Sequence, residues 1–145
     1  MTSQFSTLAA LPLLAAACYS FFSIYVMVQK GENEASKKHL WLFPAALSLC
    51  FLVFSLRAAF TEGAFGFWPE HTRNLWGNQI WFDLLLAVGV GWCFAVPKAR
   101  ALGMRLWPWW LLIVCTGSIG LLAMVARIFY LKVRVVKTGE RDSLL

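Results

Sequence analysis

Asp83, Arg57 and Arg127 are the residues of this sequence best placed to do chemistry, because each is a charge at the edge of, or inside, an otherwise apolar run. An acid beside a base can exchange a proton, bind a polar ligand or form a structural ion pair. A charge at the bilayer centre costs roughly 2.5–3.5 kcal/mol on insertion scales, so such residues are normally paired or face a cavity. These three residues are therefore the candidate site.

The three charges are expected at one depth if the apolar runs are membrane-spanning helices of alternating direction. Arg57 then lies near the exit of the second span, Asp83 near the entrance of the third and Arg127 near the exit of the fourth. We predict a salt bridge between Asp83 and either arginine that locks the helices together. Two alternatives stay open: a polar pocket for a headgroup or an anionic or proton-carrying substrate, and arginines that snorkel to the surface.

Other chemical groups in the sequence lack the spacing of a reactive site. His39 and His71 are predicted on opposite sides of the membrane, which disfavours a haem held between them. The four cysteines contain no CxxC pair, so a disulfide or a metal site is disfavoured. Nucleophile-elbow, phosphate-loop and HExxH patterns are absent. We predict no catalytic residue, metal or cofactor, and leave a bound lipid, quinone or pigment open.

The composition indicates that these residues are carried by a membrane protein. The chain has 145 residues, of which 60% are hydrophobic and 14% charged, and its mean hydropathy is +0.67. Soluble domains carry about a quarter charged residues. The net charge is +6, but the basic residues punctuate the ends of apolar runs, which favours contact with lipid headgroups and disfavours nucleic acid binding.

Four apolar runs predict four membrane-spanning helices in a single domain. A span needs about 20 residues to cross a hydrocarbon layer of roughly 30 Å. The fold class is thus predicted as an all-α transmembrane four-helix bundle with both termini on one side. Pro97 is expected to end the third span, and the basic tail over 132–145 is expected to be flexible. The predicted spans are 5–28, 40–60, 79–96 and 107–131.

Aromatic residues are concentrated in the loop over 61–78 and at the start of the fourth span. Tryptophan and its aromatic neighbours are enriched at headgroup depth, so we interpret these residues as interfacial. A lid or a docking surface is the alternative for the loop. The candidate interfacial or docking residues are Phe65, Phe67, Trp68, Trp76, Trp107, Trp109 and Trp110.

Small residues recur at helical spacing beside the charges. Small side chains let helix backbones approach closely in lipid. We therefore predict a tight hairpin of the third and fourth spans, in which Ala87, Gly91, Gly117 and Gly120 are the helix-packing residues. The two faces concerned are Asp83-Ala87-Gly91-Ala95 on the third span and Thr116-Gly120-Ala123-Arg127 on the fourth.

The charge bias of the loops assigns an orientation only weakly. Loops 29–39 and 97–106 carry six lysines and arginines, against five on the other side when Arg57 and Arg127 are set aside. The aromatic second loop resembles an external one, so we predict that loops 29–39 and 97–106 face the cytoplasm. The expected location is a bacterial-type inner membrane or a derived organelle membrane.

The segment over 78–127 resembles a family of small bacterial-type integral membrane proteins of unknown function. The matching features are Asp83, the basic turn Lys98-Ala99-Arg100, the helix start Trp107-Pro108 and the run Gly117-Ser118-Ile119-Gly120. Leu121 stands where the family commonly has proline, and Pro97-Lys98 replaces a more acidic turn. The resemblance implies a membrane helix bundle and transfers no active site.

These observations predict a small accessory or assembly subunit of a larger membrane complex. Its expected partners are membrane lipids and other integral membrane subunits, or a second copy of itself. One alternative is a membrane enzyme acting on an isoprenoid or carotenoid-like lipid, with Asp83 as the acid. A second is a small proton-coupled transporter working as a homodimer.

Overall fold

A computed structural model describes residues 10, 12–21, 24, 27 and 39–142, and every regular element in these ranges is an α-helix. The all-helical prediction is confirmed. The chain divides into two compact units, 1–34 and 35–145, and α1 belongs to the first. The helices are α1 (Pro12–Phe21), α2 (Leu42–Glu62), α3 (Phe67–Thr72), α4 (Leu75–Ala101), α5 (Leu106–Thr116) and α6 (Ser118–Asp142).

Two of the described helices, α2 and α4, are long and apolar enough to cross a membrane. They correspond to the predicted second and third spans, although α4 begins earlier and ends later than expected. Helices α1 and α5 are shorter apolar helices. Much of the predicted first span over 5–28, and nearly all of loop 29–39, lies outside the described residues.

Pro97 does not end the third span as predicted, because α4 continues through it to Ala101. A proline inside a helix removes one backbone hydrogen bond, a loss that the final turn of α4 accommodates. The turn that follows Ala101 contains Gly103, which has a positive φ of 69°. The Gly103 N–H donates to the Arg100 carbonyl and the Met104 N–H to the Ala99 carbonyl, each at 3.0 Å. This pair of bonds is a Schellman motif.

The predicted fourth span is broken at Gly117, and the prediction of one continuous helix over 107–131 is wrong. Gly117 has φ 60° and ψ −123°, a conformation that side chains strongly disfavour. The chain reverses there, and α6 runs back along α5. A Cβ atom on Gly120 would lie 2.9 Å from the Ile113 backbone. The two helices therefore form an antiparallel hairpin with touching backbones.

The core of the second unit lies where α4, α5 and α6 meet. Its buried residues are Ala95, Ala99, Ile113, Met124 and Ile128. Helices α4 and α6 run parallel, because Gly91 lies against Leu121 and, further along both helices, Leu102 and Leu131 line one groove.

Helix α2 packs antiparallel to α6. The Ser48 hydroxyl donates to the Ile119 carbonyl at 2.9 Å, and Trp41 meets Tyr130 edge to face with ring centroids 5.6 Å apart. These two contacts fix the register of the pair. They also place the start of α2 at the end of the unit where α4 finishes.

The reversal at Gly117 gives the unit two unlike ends. Helix α6 continues through residue 132 to Asp142, and the flexibility predicted for the tail over 132–145 stays a prediction. The C-terminal part of α6 lies at the same end of the unit as the turn over 102–105. A continuous fourth span would have carried it to the opposite end. At the other end, α2 and α4 continue past Gly117 without α5 or α6 beside them.

Candidate functional site: a cationic groove and an outward carboxylate

The structure brings two of the three candidate charges to one depth and separates the third. Arg57 lies nine residues beyond Ser48 on α2, and Asp83 lies eight residues before Gly91 on α4. Ser48 and Gly91 are level with Ile119 and Leu121 of α6. At 1.5 Å per residue, Asp83 and Arg57 are therefore about 6–10 Å beyond the Gly117 turn. Arg127 lies on the other side of that turn, where it lines a groove with the segment over 102–105. It is roughly 20 Å from Asp83 along the helix axis.

Arg57 and Asp83 share a depth without touching. Nine residues of helix turn a side chain to the side opposite Ser48, so Arg57 points away from α6. Both charged residues are exposed, and neither side chain has an ion pair with another described residue. Glu70 and Arg73, 3.4 Å apart, form the ion pair seen between described side chains. The acid and the two bases are therefore not arranged for proton exchange within one copy.

The four candidate packing residues have different surroundings. Gly91 lies under Leu121, and Gly120 lies against the backbone of α5. Gly117 forms the reversal itself, whereas Ala87 is exposed. Thr116 does not share a helix with Gly120, because the break at Gly117 falls between them.

Four of the seven candidate aromatic residues lie at the end where α2 finishes and α4 begins. We call this the aromatic end, defined by Phe65, Phe67, Trp68, Trp76 and Trp81. The loop predicted over 61–78 contains the short helix α3 and the first residues of α4. Trp81 stacks on Phe67 at 5.8 Å and meets His71 edge to face at 5.1 Å.

Two local signals fix the turn between α3 and α4. Asn74 caps α4, since its side-chain oxygen accepts a hydrogen bond from the Gly77 N–H at 2.8 Å. A Cβ on Gly77 would lie 2.6 Å from the Glu70 carbonyl oxygen, so only glycine fits. The asparagine three residues before a glycine was the sequence signal for this helix start, and sequence reasoning missed it.

The other three candidate aromatic residues, Trp107, Trp109 and Trp110, lie at the opposite end. Trp107 and Trp110 stack with ring centroids 4.8 Å apart, and both are exposed. Trp109 instead packs against the core and lines a groove. The seven aromatic residues are thus divided between the two ends of the unit.

An open groove lies beside Trp109 in the described part of the second unit. It has a volume of about 400 Å³ and opens to the surface. Two arginines, Arg105 and Arg127, line it together with the Schellman turn. The remaining lining residues are Leu102, Gly103, Met104, Pro108, Trp109 and Leu131.

Tyr130 holds two arginines beside this groove. The Arg127 guanidinium carbon lies 5.5 Å from the centre of the Tyr130 ring, and that of Arg134 lies 5.1 Å from it. Trp41 contacts the edge of the same ring. A cation over an aromatic face is attracted by the ring quadrupole, so Tyr130 positions Arg127 at the groove.

The cations around the groove have no acidic neighbour in the sequence. No Asp or Glu occurs from residue 84 through residue 139. The parallel arrangement of α4 and α6 gathers six cations there, which we call the cationic end: Lys98, Arg100, Arg105, Arg127, Lys132 and Arg134. Sequence reasoning missed Arg105 and Tyr130, although the long acid-free stretch was a visible signal.

Cofactor and metal chemistry have no assembled site in the part of the chain that the structure describes. No group of three His, Cys, Asp or Glu side chains there could hold a metal ion. The four cysteines are free and exposed. His39 lies next to α2 at the cationic end, and His71 lies on α3 at the aromatic end.

Comparison of the chain with known protein families, with characterised proteins and with solved structures finds no match. The resemblance of the segment over 78–127 to a membrane protein family therefore stays a prediction, and the function rests on the physical features of the chain.

Proposed function

We propose that the chain is an integral membrane subunit that packs, through the outer face of α4, against a neighbouring membrane helix. The exposure of its two longest apolar helices carries this proposal. In the 18-residue apolar stretch of each helix, only 11% of the residues of α2 and 6% of those of α4 are buried. A core helix of a soluble protein is mostly buried, whereas a helix in lipid exposes apolar side chains at little cost.

In this proposal the hairpin of α5 and α6 enters the membrane from the cationic end and returns to it. Its reversal at Gly117 gathers the basic residues of the turn over 102–105 and of α6 on one side. The aromatic end holds Arg73, which is paired with Glu70. Because lysine and arginine are retained in the cytoplasm, the cationic end faces the cytoplasm. Four spans would place Lys132 and Arg134 on the side opposite to loop 97–106, which makes the numbers of basic residues on the two sides nearly equal. Because α6 runs back, these residues lie on the same side as that loop, and the two numbers differ.

The outer face of α4 has the spacing of a helix-packing stripe. Six exposed residues repeat at intervals of three or four, which places them in one row. Five are apolar or aromatic and one is a carboxylate. The stripe consists of Trp76, Ile80, Asp83, Ala87, Val90 and Phe94.

The carboxylate indicates the chemistry of the helix that covers the stripe. Asp83 lies about 12 Å from the start of α4, within its apolar segment. An ionised group at such a position requires a cation or a polar neighbour. The partner helix therefore carries a cation or a polar side chain at the depth of Asp83, and a lysine or an arginine would match the charge of a carboxylate.

A second copy of the chain has such a cation at the required depth. Arg57 lies on the outward side of α2, at the level of Asp83 on α4. A contact between Arg57 of one copy and Asp83 of the next joins two different faces, so it is a heterologous contact. The first partner proposed for the chain is therefore a second copy of itself.

Co-isolation of two differently tagged copies in mild detergent tests the proposal. We expect Asp83→Asn to abolish co-isolation and Asp83→Glu to preserve it, because only the second keeps the charge. Asp83→Arg combined with Arg57→Asp should restore it. A photo-crosslinker at Phe94 reports any other covering chain. Absence of self-association together with crosslinks only to lipid would refute the packing role, and release by alkaline extraction would refute membrane integration.

A further inference from the structure

We propose that the groove between the 102–105 turn and α6 is a binding site for a phosphate group, which Arg105 and Arg127 contact from two sides. Arg127 comes from α6, and Arg105 immediately precedes α5. Because both side chains line the same groove, they converge on one space. The membrane-lipid source of the phosphate rests on the proposed function, whereas the phosphate site itself does not.

The lining of the groove has two positive charges and no negative charge among the described residues. No carboxylate lines it, and none occurs within the acid-free stretch that forms it. Neither Arg105 nor Arg127 has an ion pair with a described residue. Two guanidinium groups that line one groove repel one another, and an anion between them relieves that repulsion. A phosphate accepts two parallel hydrogen bonds from each guanidinium.

The geometry of Arg127 suits such binding. Its guanidinium carbon lies over the Tyr130 ring, 5.5 Å from the ring centre, and Arg134 and Trp41 contact the same ring. A cation–π contact uses none of the guanidinium N–H groups as conventional hydrogen-bond donors, so they remain for an anion. A planar fork fixed in this way loses less entropy on binding than a freely rotating side chain does.

The start of α5 adds donors and partial positive charge at the same place. Arg105 is the N-cap residue of α5 and makes no side-chain capping bond. The first N–H groups of an α-helix have no partner within the helix, and the helix dipole is positive there. Helix α5 is eleven residues long, so this effect supplements the two arginines.

The walls of the groove favour a phosphate that carries an apolar chain. Leu102, Met104 and Leu131 form an apolar lining, and Trp109 extends it toward the core. The exposed stacked pair Trp107 and Trp110 lies beside it, at the start of α5. A cationic rim over an apolar lining matches the boundary between an anionic headgroup and its acyl chains. A free phosphate would use the rim alone.

Energy transfer from the tryptophans to a dansyl-labelled phosphatidylglycerol in detergent micelles tests the site. Arg105→Gln and Arg127→Gln should each weaken binding about tenfold, since each loses a charge-assisted bidentate contact. Arg100→Gln is the matched control, because it removes one charge at the same end without lining the groove. It should change affinity by less than about twofold.

The source of the phosphate is decided by two further arms. Failure of inorganic phosphate to displace the dansyl lipid, together with weak binding of dansyl-phosphatidylcholine, assigns the site to an anionic lipid. Displacement by inorganic phosphate assigns it to a free phosphate compound. Either result supports the phosphate site.

The proposal is overturned if Arg100→Gln weakens binding as much as Arg105→Gln, since binding is then a general charge effect. Equal affinity of wild type for the two labelled lipids also overturns it. Arg105 lies in an exposed turn, so its variant keeps the test valid if Arg127→Gln fails to fold. Loss of lipid selectivity in a protein that resists alkaline extraction refutes the groove alone and leaves the membrane role standing.

Discussion

The two ends of the second unit differ in how their helices pack and in which of their charges are paired. At the cationic end, α4 packs on α5 and α6 through small residues, and Ala99 and Met124 are fully buried. At the aromatic end, α2 and α4 continue past the Gly117 turn with their apolar faces exposed. Arg105 and Arg127 have no ion pair with a described residue at the first end, whereas Glu70 and Arg73 are paired at the second. The cationic end is thus packed within one copy of the chain, whereas the aromatic end leaves apolar helix faces and the Asp83 carboxylate without a covering surface.

This contrast separates two kinds of binding partner. At the packed end, the lining of the groove has two arginines and no acidic residue, so the groove can take a small anion. An end that exposes apolar helices lacks a covering surface, and lipid or another helix supplies that surface. Asp83 belongs to the second kind, because its stripe on α4 faces away from the core.

The largest expected difference between the two ends is the side of the membrane from which an introduced cysteine can be labelled. In a variant without native cysteines, Ala101→Cys and Val135→Cys should react with an impermeant thiol reagent from the same side. Phe65→Cys should react from the other side. The reason is the reversal at Gly117, which returns α6 to the level of the 102–105 turn. Labelling of Val135→Cys from the same side as Phe65→Cys would contradict the reversal and support the four-span arrangement.

A smaller effect is expected from overpacking the helix interface at the cationic end. Ala99→Leu adds three carbons at a position with no exposed surface, and it should lower the free energy of unfolding by roughly 1–3 kcal/mol. Ala87→Leu makes the same change three turns earlier, on an exposed face. Denaturation in mixed detergent micelles measures both variants. Equal losses would show that the exposed face of α4 is packed within one copy.

The smallest effect on overall stability is expected at the aromatic end. Gly77→Ala places a Cβ 2.6 Å from the Glu70 carbonyl oxygen, so α3 must move away from α4. Hydrogen exchange should rise in α3, while the unfolding free energy falls by less than about 1 kcal/mol, because α3 buries no core residue. Gly89→Ala is the control, since a Cβ there meets nothing. A global loss comparable to that of Ala99→Leu would contradict this peripheral role.

Sequence reasoning predicted the helical class because composition and the length of apolar runs are local properties. It placed α2 closely and α4 approximately, and it identified Asp83, Arg57 and Arg127 as unusual charges. It could not find the ends of α4, because Pro97 is tolerated in a last turn that Gly103 then closes with two backbone bonds. Whether a proline ends a helix depends on the hydrogen bonds around it, which the pattern does not contain.

The break at Gly117 is the feature that altered the candidate site. The run over 107–131 has the length and hydropathy of a single span, and a glycine inside such a run is common in membrane helices. Only the packing of Gly120 on the α5 backbone shows that the chain turns back. That reversal moved Arg127 away from Asp83 and toward Arg105.

The sequence by itself determined that the chain is helical and largely apolar, that its charges punctuate apolar runs, and that residues 84–139 contain no acid. The tertiary structure decided which of those charges meet. Charge and hydropathy are properties of individual residues, so they can be read along the chain. The depth of a side chain depends on the direction of its helix, and here one backbone conformation at Gly117 sets that direction for all of α6.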